Sequence, residues 1–469
     1  MTQENKMGTM PVNRLLVTMS LPMVISMLVQ AMYNIVDSIF VSMISQSALT
    51  AVSMAFPVQN LIIAVSAGTC VGVNALLSRS LGEHNQKNAD SAAANGVFLA
   101  FLGFVAFALF GLFGSRLFFE SQTDNQEIIR LGTQYLQICC IFSMGIFGEM
   151  MFERILQSTG RTIYSMITQG TGAIINIILD PILIFGLIGF PRMGIQGAAA
   201  ATVFGQIVAM LLALMFNATK NHDVTIRFKG FTPNGRTIRL IYAVGVPSII
   251  MQSNGPVIRN IYSVGAPSII LNSIGSVMTF GMNKILIAFS ETAVAVFGVY
   301  FKLQSFIFMP IFGLNNGMIP IVAYNYGARS KKRIMATVRM SIYIAVGIML
   351  IGLVVFQLFT RDLLMMFQAD ENMLAIGVPA LRIISLSFLF AGYCIIVGSV
   401  FQALGNGVYS LIVSIARQLV CILPLAYFFA REFGLHAVWY SIPIAEITSV
   451  ILSTILFRKI YLEKIKVLD

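Results

Sequence analysis

Two acidic residues lie deep inside apolar segments of the chain. Asp37 occurs in QAMYNIVDSIF and Asp180 in INIILDPIL. A carboxylate at the middle of a membrane costs about 2.5–3.5 kcal/mol even on lenient scales, so such a group usually faces a cavity and serves a function. Asn34 precedes Asp37 by three residues and Asn176 precedes Asp180 by four, so each amide shares a helix face with its carboxylate.

These four residues have the chemistry of an inorganic cation site. Two carboxylates that share an apolar cavity repel each other unless a proton or a cation lies between them. Pro181 follows Asp180 directly and frees a backbone carbonyl, which can help to bind a cation. The residues therefore predict a proton or sodium site, and the alternative is that they only join helices through hydrogen bonds.

The composition places these carboxylates in a membrane protein. Only 10% of the 469 residues are charged and 57% are hydrophobic, and the mean hydropathy is +0.84. Soluble domains carry about 25% charged residues, so a chain this apolar cannot cover a surface that faces water. The net charge of +11 does not indicate nucleic acid, because the basic residues lie between apolar runs.

The apolar segments predict twelve transmembrane helices. Each is long enough to cross a bilayer core of about 30 Å, which takes about 20 residues of helix. We expect an all-α integral membrane protein with the following spans: 15–43, 48–78, 92–118, 130–156, 163–189, 195–217, 261–289, 293–324, 336–359, 373–402, 409–430 and 435–457.

The distribution of Lys and Arg predicts the orientation. If the amino terminus is cytoplasmic, twenty of these residues fall in cytoplasmic segments and five in outer loops. Cytoplasmic loops carry such an excess, so we expect both termini inside the cell. The first apolar run is too long for a cleaved signal peptide and has no cleavage site, so we expect it to be the first span.

The two halves of the sequence are copies of each other. We expect a parallel repeat of two six-helix lobes around a central cleft, a known transporter architecture. The predicted division is an amino-terminal lobe at 1–217, a cytoplasmic linker at 218–240, an insert at 241–260 and a carboxy-terminal lobe at 261–469. An offset of 245 residues pairs Pro22 with Pro267, Gly68 with Gly313, Gly72 with Gly317, Gly82 with Gly327, Gln157 with Gln402 and Gly160 with Gly405.

The insert breaks this symmetry. IYAVGVPSIIMQSNGPVIRN at 241–260 is almost repeated by IYSVGAPSIILNSIGSVMTF at 261–280, and only the second copy keeps the offset of 245. We expect the first copy to lie at the cytoplasmic membrane surface, either as a functional element or as a local duplication.

Other charged residues within the spans leave their roles open. Lys302, Arg382 and Arg417 are candidates either for interior ion pairs or for a cavity in the second lobe, and Lys284, Glu149 and Glu446 are further in-span charges. Glu153 and Arg154 border a cytoplasmic loop, where we expect them to extend towards the membrane surface. The position that corresponds to Asp37 in the second half is Met282, so the halves share a fold but not a role.

The chain resembles the multidrug and toxic compound extrusion (MATE) family over nearly its whole length. The resemblance depends on SLPMVISMLVQAMYNIVDSIFVS in the first span, SRSLGEHNQKNA after the second, LQSTGRTIYSMI before the fifth, and NIILDPILIFGLIGFPRMGIQGAAAATVFGQ across the fifth and sixth. It is most similar to bacterial multidrug exporters, which implies a multi-pass protein of the bacterial cytoplasmic membrane.

The resemblance implies antiport, in which H+ or Na+ enters while organic cations such as drugs and dyes leave. It places the cation site on Asp37, Asn176 and Asp180, with Tyr135 and Thr202 added, and makes Pro22 a residue at which the first helix kinks on protonation. Membrane lipids surround the protein, and we expect a monomer with no cofactor, no metal beyond Na+, and no nucleic acid.

Two other functions remain as alternatives. A flippase of lipid-linked oligosaccharides from the same superfamily would share the repeat but needs several arginines facing its cavity. A channel or scaffold without coupled transport would not need asymmetric carboxylates. An enzyme is not expected, because the sequence contains no phosphate-binding loop of the G-x-x-x-x-G-K type and no catalytic cluster.

Overall fold

The computed structural model describes residues 5–121, 123–226, 232–245, 278–279, 281–367 and 369–468. These residues form helices joined by short connections. The first lobe and the helix after it consist of α1 Lys6–Thr9, α2 Val12–Ser42, α3 Gln46–Gly82, α4 Gln86–Phe113, α5 Ser115–Glu120, α6 Gln126–Ile141, α7 Met144–Ser158, α8 Thr162–Phe185, α9 Ile195–Lys220 and α10 Gly235–Gly245.

From the counterpart of α3 onwards, the described helices of the second lobe repeat this order of long and bent helices. It consists of α11 Glu291–Gly327, α12 Lys331–Leu358, α13 Thr360–Met365, α14 Glu371–Ser385, α15 Phe388–Ala403, α16 Gly407–Ile415, α17 Leu423–Phe433, α18 Leu435–Val438 and α19 Ser441–Ile460, with a π-helical segment, Ala416–Ile422, between α16 and α17.

Nine helices of the described residues are long and apolar enough to cross a membrane. Two further pairs, α6 with α7 and α14 with α15, are long and apolar enough together and are bent by 42° and 47°; counted as one broken span each, they bring the number to eleven. The remaining predicted span, at 261–289, lies mostly outside the described residues, as does most of the insert at 241–260.

Local sequence determines where several helices begin and end. The Ser45 hydroxyl accepts a hydrogen bond from the backbone N–H of Ala48 at the start of α3, and Asp370 accepts one from Met373 at the start of α14. These side chains satisfy N–H groups that have no partner within a first turn. Gly186 ends α8 in the left-handed region (φ 74°), which a residue without Cβ adopts at little cost.

The two lobes touch along α2, α3 and α11. An added Cβ at Gly317 of α11 would lie 2.7 Å from Ser20 Cα of α2, and one at Gly82 of α3 would clash with the carbonyl oxygen of Tyr324. Gly327 packs in the same way on the carbonyl of Arg79. These contacts lie on the side of the bundle at which α2 begins, here called the terminal side, which the sequence predicts to be cytoplasmic.

The chain start adds a second connection between the lobes on the terminal side. Asn5 Nδ2 donates to the carbonyl of Thr159 in the first lobe, at 3.1 Å. Arg333 Nη2 of α12 donates to the carbonyls of Met7 and Met10, at 2.9 and 2.7 Å. Met7 is fully buried. The lobes are therefore held closed on this side.

The start of the predicted insert forms the end of α10. Ile241 is fully buried, and its carbonyl lies against Gly72 of α3. The helix also contacts α4 and the second-lobe helices α15 and α16. The predicted linker at 218–240 thus includes the end of α9 and the start of α10.

Candidate functional site

Close packing between α8 and α9 positions the polar residues of the first lobe. An added Cβ at Gly205 of α9 would lie 2.7 Å from the carbonyl oxygen of Gly172 of α8, so the two backbones approach directly. Small residues permit this approach between membrane helices. One helical turn beyond Gly172, the contact brings Asn176 to within hydrogen-bonding distance of Thr202.

Asp37 and Asp180 meet between α2 and α8. Their carboxyl groups are within hydrogen-bonding reach of each other. Asp180 is fully buried, whereas Asp37 is half-buried. One oxygen of each carboxyl group has no hydrogen-bond partner among the described residues. Two carboxyl groups in contact attract each other only when a proton or a cation lies between them.

The amide of Asn176 links Asp180 to Thr202. With its nitrogen towards Asp180, Asn176 donates to Asp180 Oδ2 at 3.1 Å and accepts from Thr202 Oγ1 at 3.1 Å. With its oxygen towards Asp180, two acceptors face each other, an arrangement that a bound cation would favour. The four side chains thus form a continuous polar chain from α2 through α8 to α9.

A cavity of about 710 Å³ adjoins this polar chain. Its wall includes Asp37, Tyr135, Asn176 and Thr202, but not Asp180, which lies behind Asp37 and Asn176. The hydroxyl of Tyr135 accepts a hydrogen bond from Gln59 Nε2 at 3.0 Å. Four of the residues assigned from the sequence therefore face a single chamber.

Asn34 and Pro22, the two other residues assigned from the sequence, are not placed at the cavity by the described structure. The side chain of Asn34 lies outside the described residues. Pro22 is buried inside α2, which is a continuous helix from Val12 to Ser42.

The prediction for Glu153 and Arg154 is wrong. Glu153 is 2% exposed, and its two carboxylate oxygens accept hydrogen bonds from Thr168 Oγ1 at 2.6 Å and Gln169 Nε2 at 2.8 Å. Arg154 donates to Gln157 and, across the lobes, to Asn316, at 3.0 and 2.9 Å. The bend between α6 and α7 draws this part of the chain inwards, so both side chains line the cavity rather than the membrane surface.

Glu149 also lines the cavity. The sequence alone does not show that Glu149 faces a cavity, because a Glu within an apolar run has the same pattern whether it faces lipid, protein or a chamber. The spacing of four residues between Glu149 and Glu153 places them on one helix face, and this spacing could have identified the pair.

The charged residues of the second lobe divide between structure and cavity. Arg417, in the π-helical segment, forms an ion pair with Glu446 of α19 at 2.8 Å. Lys302 lines the cavity. Arg382 is exposed and donates to Thr360. Met282, at the position that corresponds to Asp37, is fully buried in the apolar core. No group of three or more His, Cys, Asp or Glu residues capable of holding a metal occurs in the described part of the chain.

The comparisons with known proteins agree with this architecture. The MatE family model matches the chain twice, over residues 22–182 and 267–428. The chain is 24% identical over 428 residues to the multidrug export protein MepA of Staphylococcus haemolyticus. The aligned region covers 91% of this chain and 89% of that protein. It is also 24% identical over 439 residues to MepA of Staphylococcus aureus, and that alignment covers 93% of this chain and 91% of the relative.

Solved structures of transporters match the whole chain. A MOP superfamily transporter from Pyrococcus furiosus, described as having a binding pocket of reverse polarity, aligns with a TM-score of 0.87 and 26% identity, over 100% of this chain and 99% of the other. A multidrug resistance MATE family transporter in an outward-facing conformation aligns with the same values. The predicted all-α fold, twelve helices in two lobes, is confirmed.

Proposed function

Because this chain belongs to the MATE family, we propose that it is a secondary active multidrug efflux transporter that exchanges H+ or Na+ for organic cations by alternating access. The contact between Asp37 and Asp180 beside the cavity is the observation that carries the proposal. The names of the relatives support the substrate class, since MepA is a multidrug export protein. No enzymatic step is part of the proposal.

Coupling follows from competition for the same negative charge. When both carboxyl groups are ionised, an organic cation in the cavity is attracted to them. When a proton or Na+ lies between the carboxyl groups, it neutralises one of the two negative charges, so that attraction weakens and the organic cation leaves. A ligand shifts a two-state equilibrium only through its different affinity for the two states, so each ion favours the state that binds it better.

The choice between H+ and Na+ depends on the polar chain. Carboxylate, amide and hydroxyl oxygens are the ligands that hard cations prefer. Asp37, Asp180, Asn176 and Thr202 offer this set, and Tyr135 stands beside it. A shared proton would need only the two carboxyl groups, so either ion fits these residues.

The proposed setting is a bacterial cytoplasmic membrane with both termini in the cytoplasm. The basic residues in the predicted cytoplasmic segments support it. The protein would then be closed to the cytoplasm, because the lobes touch on the terminal side. Membrane lipids would cover the exposed apolar side chains of the spans, and we propose a monomer in which each lobe has one role.

The proposed domain division has its boundaries at 1–217, 218–240, 241–260 and 261–469. The two matches of the family model begin 245 residues apart, at 22 and 267, which is the offset of the internal repeat. The insert falls between them.

Transport by reconstituted protein tests the proposal. Asp37→Asn should reduce dye efflux driven by an imposed pH or Na+ gradient more than tenfold, because the carboxyl that exchanges ions is gone. Asp124→Asn, in an exposed loop, is the matched control and should transport normally. Unchanged transport by Asp37→Asn with normal protein levels would refute the coupling scheme.

The same vesicles separate the alternatives. A lipid-linked oligosaccharide flippase would move an anionic lipid and ignore both gradients. A channel or scaffold would give no concentrative efflux. Applying the pH gradient and the Na+ gradient in turn also identifies the coupling ion.

A further inference from the structure

The cavity extends well beyond the Asp37–Asp180 pair. Two contacts determine how α2 and α8 lie alongside each other: Thr162 Oγ1 donates to the carbonyl of Thr18 at 3.4 Å, and Asp180 meets Asp37. Between these contacts, Gln169 is eleven residues from Asp180 on α8, and Ser26 is eleven residues from Asp37 on α2. Ser26 and Gln169 therefore lie at similar depth, about 16 Å from the carboxyl pair at 1.5 Å per residue.

Glu153 marks the same depth on α7. It contacts Gln169 directly, and Glu149 lies one turn earlier on α7, on the same face. Ser26, Gln169, Glu149 and Glu153 all line the cavity. The terminal-side half of the chamber, here called the lower site, is thus built from three helices of the first lobe.

The polar groups left open in the lower site can all accept hydrogen bonds. Ser26 is 1% exposed, and its Oγ has no partner. Gln169 uses its nitrogen on Glu153, and its Oε1 has no partner. Glu149 forms no hydrogen bond or ion pair with any side chain of the described residues. A buried polar group without a partner is unfavourable, so this arrangement favours a ligand that donates.

The net charge at the lower site is negative when Glu149 and Glu153 are both ionised. Arg154 stands beside Glu153, but its guanidinium bonds to Gln157 and Asn316. The positive charge of Arg154 offsets one of the two carboxylate charges of Glu149 and Glu153 and leaves the other. Lys302, the second base of the cavity, is fourteen residues from Asn316 along α11, which is about 21 Å in a helix, and lies towards Asp37.

We propose that the lower site binds the cationic head of the exported molecule, with Glu149, Gln169 and Ser26 accepting the N–H donors of an ammonium or amidinium group. This assignment rests on the proposed function and makes it more specific. Exchange of the inorganic ion takes place at Asp37 and Asp180, whose charge attracts the organic cation through the same cavity, while Glu149 holds its cationic head about two to three helical turns away. Charged hydrogen bonds of this kind are about twice as strong as neutral ones.

The test is equilibrium binding to purified full-length protein without any gradient. The probes are 4′,6-diamidino-2-phenylindole, a flat dye with two amidinium groups, and tetraphenylphosphonium, a cation without N–H donors. Glu149→Gln should lower the affinity for the dye at least tenfold and that for tetraphenylphosphonium less. Ser26→Ala should weaken the affinity for the dye about threefold and leave the affinity for tetraphenylphosphonium unchanged. Unchanged binding of tetraphenylphosphonium also shows that the variant is folded.

The control variant is Glu432→Gln, the same change at an exposed position of the second lobe. It should bind both probes like the unchanged protein. The lower site is refuted if Glu149→Gln binds the dye within twofold of normal, or if Glu432→Gln loses as much affinity for the dye as Glu149→Gln does. Either result leaves the proposed function intact. If the unchanged protein binds neither probe, the proposed class of exported cation is wrong.

Discussion

At the scale of single residues, the polar chain from Asp37 to Thr202 depends on hydrogen bonds that a small change can remove. Thr202 supplies the last of them, since its hydroxyl lies 3.1 Å from the amide of Asn176. Without this hydroxyl the amide is no longer held in place beside Asp180. The orientation of the amide determines whether a donor or an acceptor faces the carboxyl group.

We therefore expect Thr202→Val, which keeps the shape and removes the hydroxyl, to slow gradient-driven efflux several-fold. A lost hydrogen bond of this kind changes the free energy by about 1 kcal/mol, which is about fivefold in an equilibrium. Thr202→Ser keeps the hydroxyl and should transport nearly normally. Equal activity of the two variants would show that the polar chain ends at Asn176.

The ion pair of the second lobe has a structural role at the residue scale. Glu446 is buried and pairs with Arg417. Glu446→Gln leaves a guanidinium without its partner, which costs about 3–5 kcal/mol in buried pairs. The thermal midpoint should fall clearly, measured by the fluorescence of Trp439, the single and fully buried tryptophan.

The ratio of ions to substrate should stay the same in Glu446→Gln. The double variant Arg417→Met with Glu446→Gln removes both charges and should recover part of the lost stability. A changed coupling ratio would instead give the second lobe a part in ion exchange.

At the scale of helices, glycines set the distance between the lobes. Gly82→Ala would push the backbone of α3 away from that of α11, because the new methyl group meets the Tyr324 carbonyl. Overpacking of this kind costs about 1–3 kcal/mol, so the thermal midpoint should fall. Gly298→Ala on α11 has open space and should be neutral or slightly stabilising, because Ala favours helix over Gly. Equal midpoints for the two variants would contradict the close contact.

At the scale of the whole molecule, the chain start holds the lobes together on the terminal side. Arg333 donates to the carbonyls of Met7 and Met10 and, through Nε, to Asn325 Oδ1 at 2.9 Å. The alternating access that we propose requires these bonds to break. Arg333→Met, which keeps most of the apolar stem, should shift the population towards the form that is open on this side.

Cysteine labelling measures this shift. In protein without its native cysteines, Ser20→Cys lies between α2 and α11 and should react slowly with a maleimide, since Ser20 is 5% exposed. Adding Arg333→Met should speed the reaction several-fold. Arg339→Met, the same change at an exposed position of α12, should not. Equal labelling in both would show that the chain start does not hold the closed form.

The sequence by itself determined the membrane setting, the helical repeat and the acidic pair in the first lobe. Apolar length and charge distribution are local properties, and lipid allows few folds that satisfy the backbone, so twelve spans and two lobes followed from them. The carboxylates at Asp37 and Asp180 stood out because their surroundings are uniformly apolar.

Only the tertiary structure decided what Glu149, Glu153 and Arg154 do. Near the end of a span, a charged side chain can extend towards water or turn into the bundle, and periodicity does not distinguish the two. The bend between α6 and α7 and the contacts with α8 turn them inwards. Contacts between helices that are distant in sequence set the depth of a cavity and its open acceptors, so one helix read alone cannot predict them.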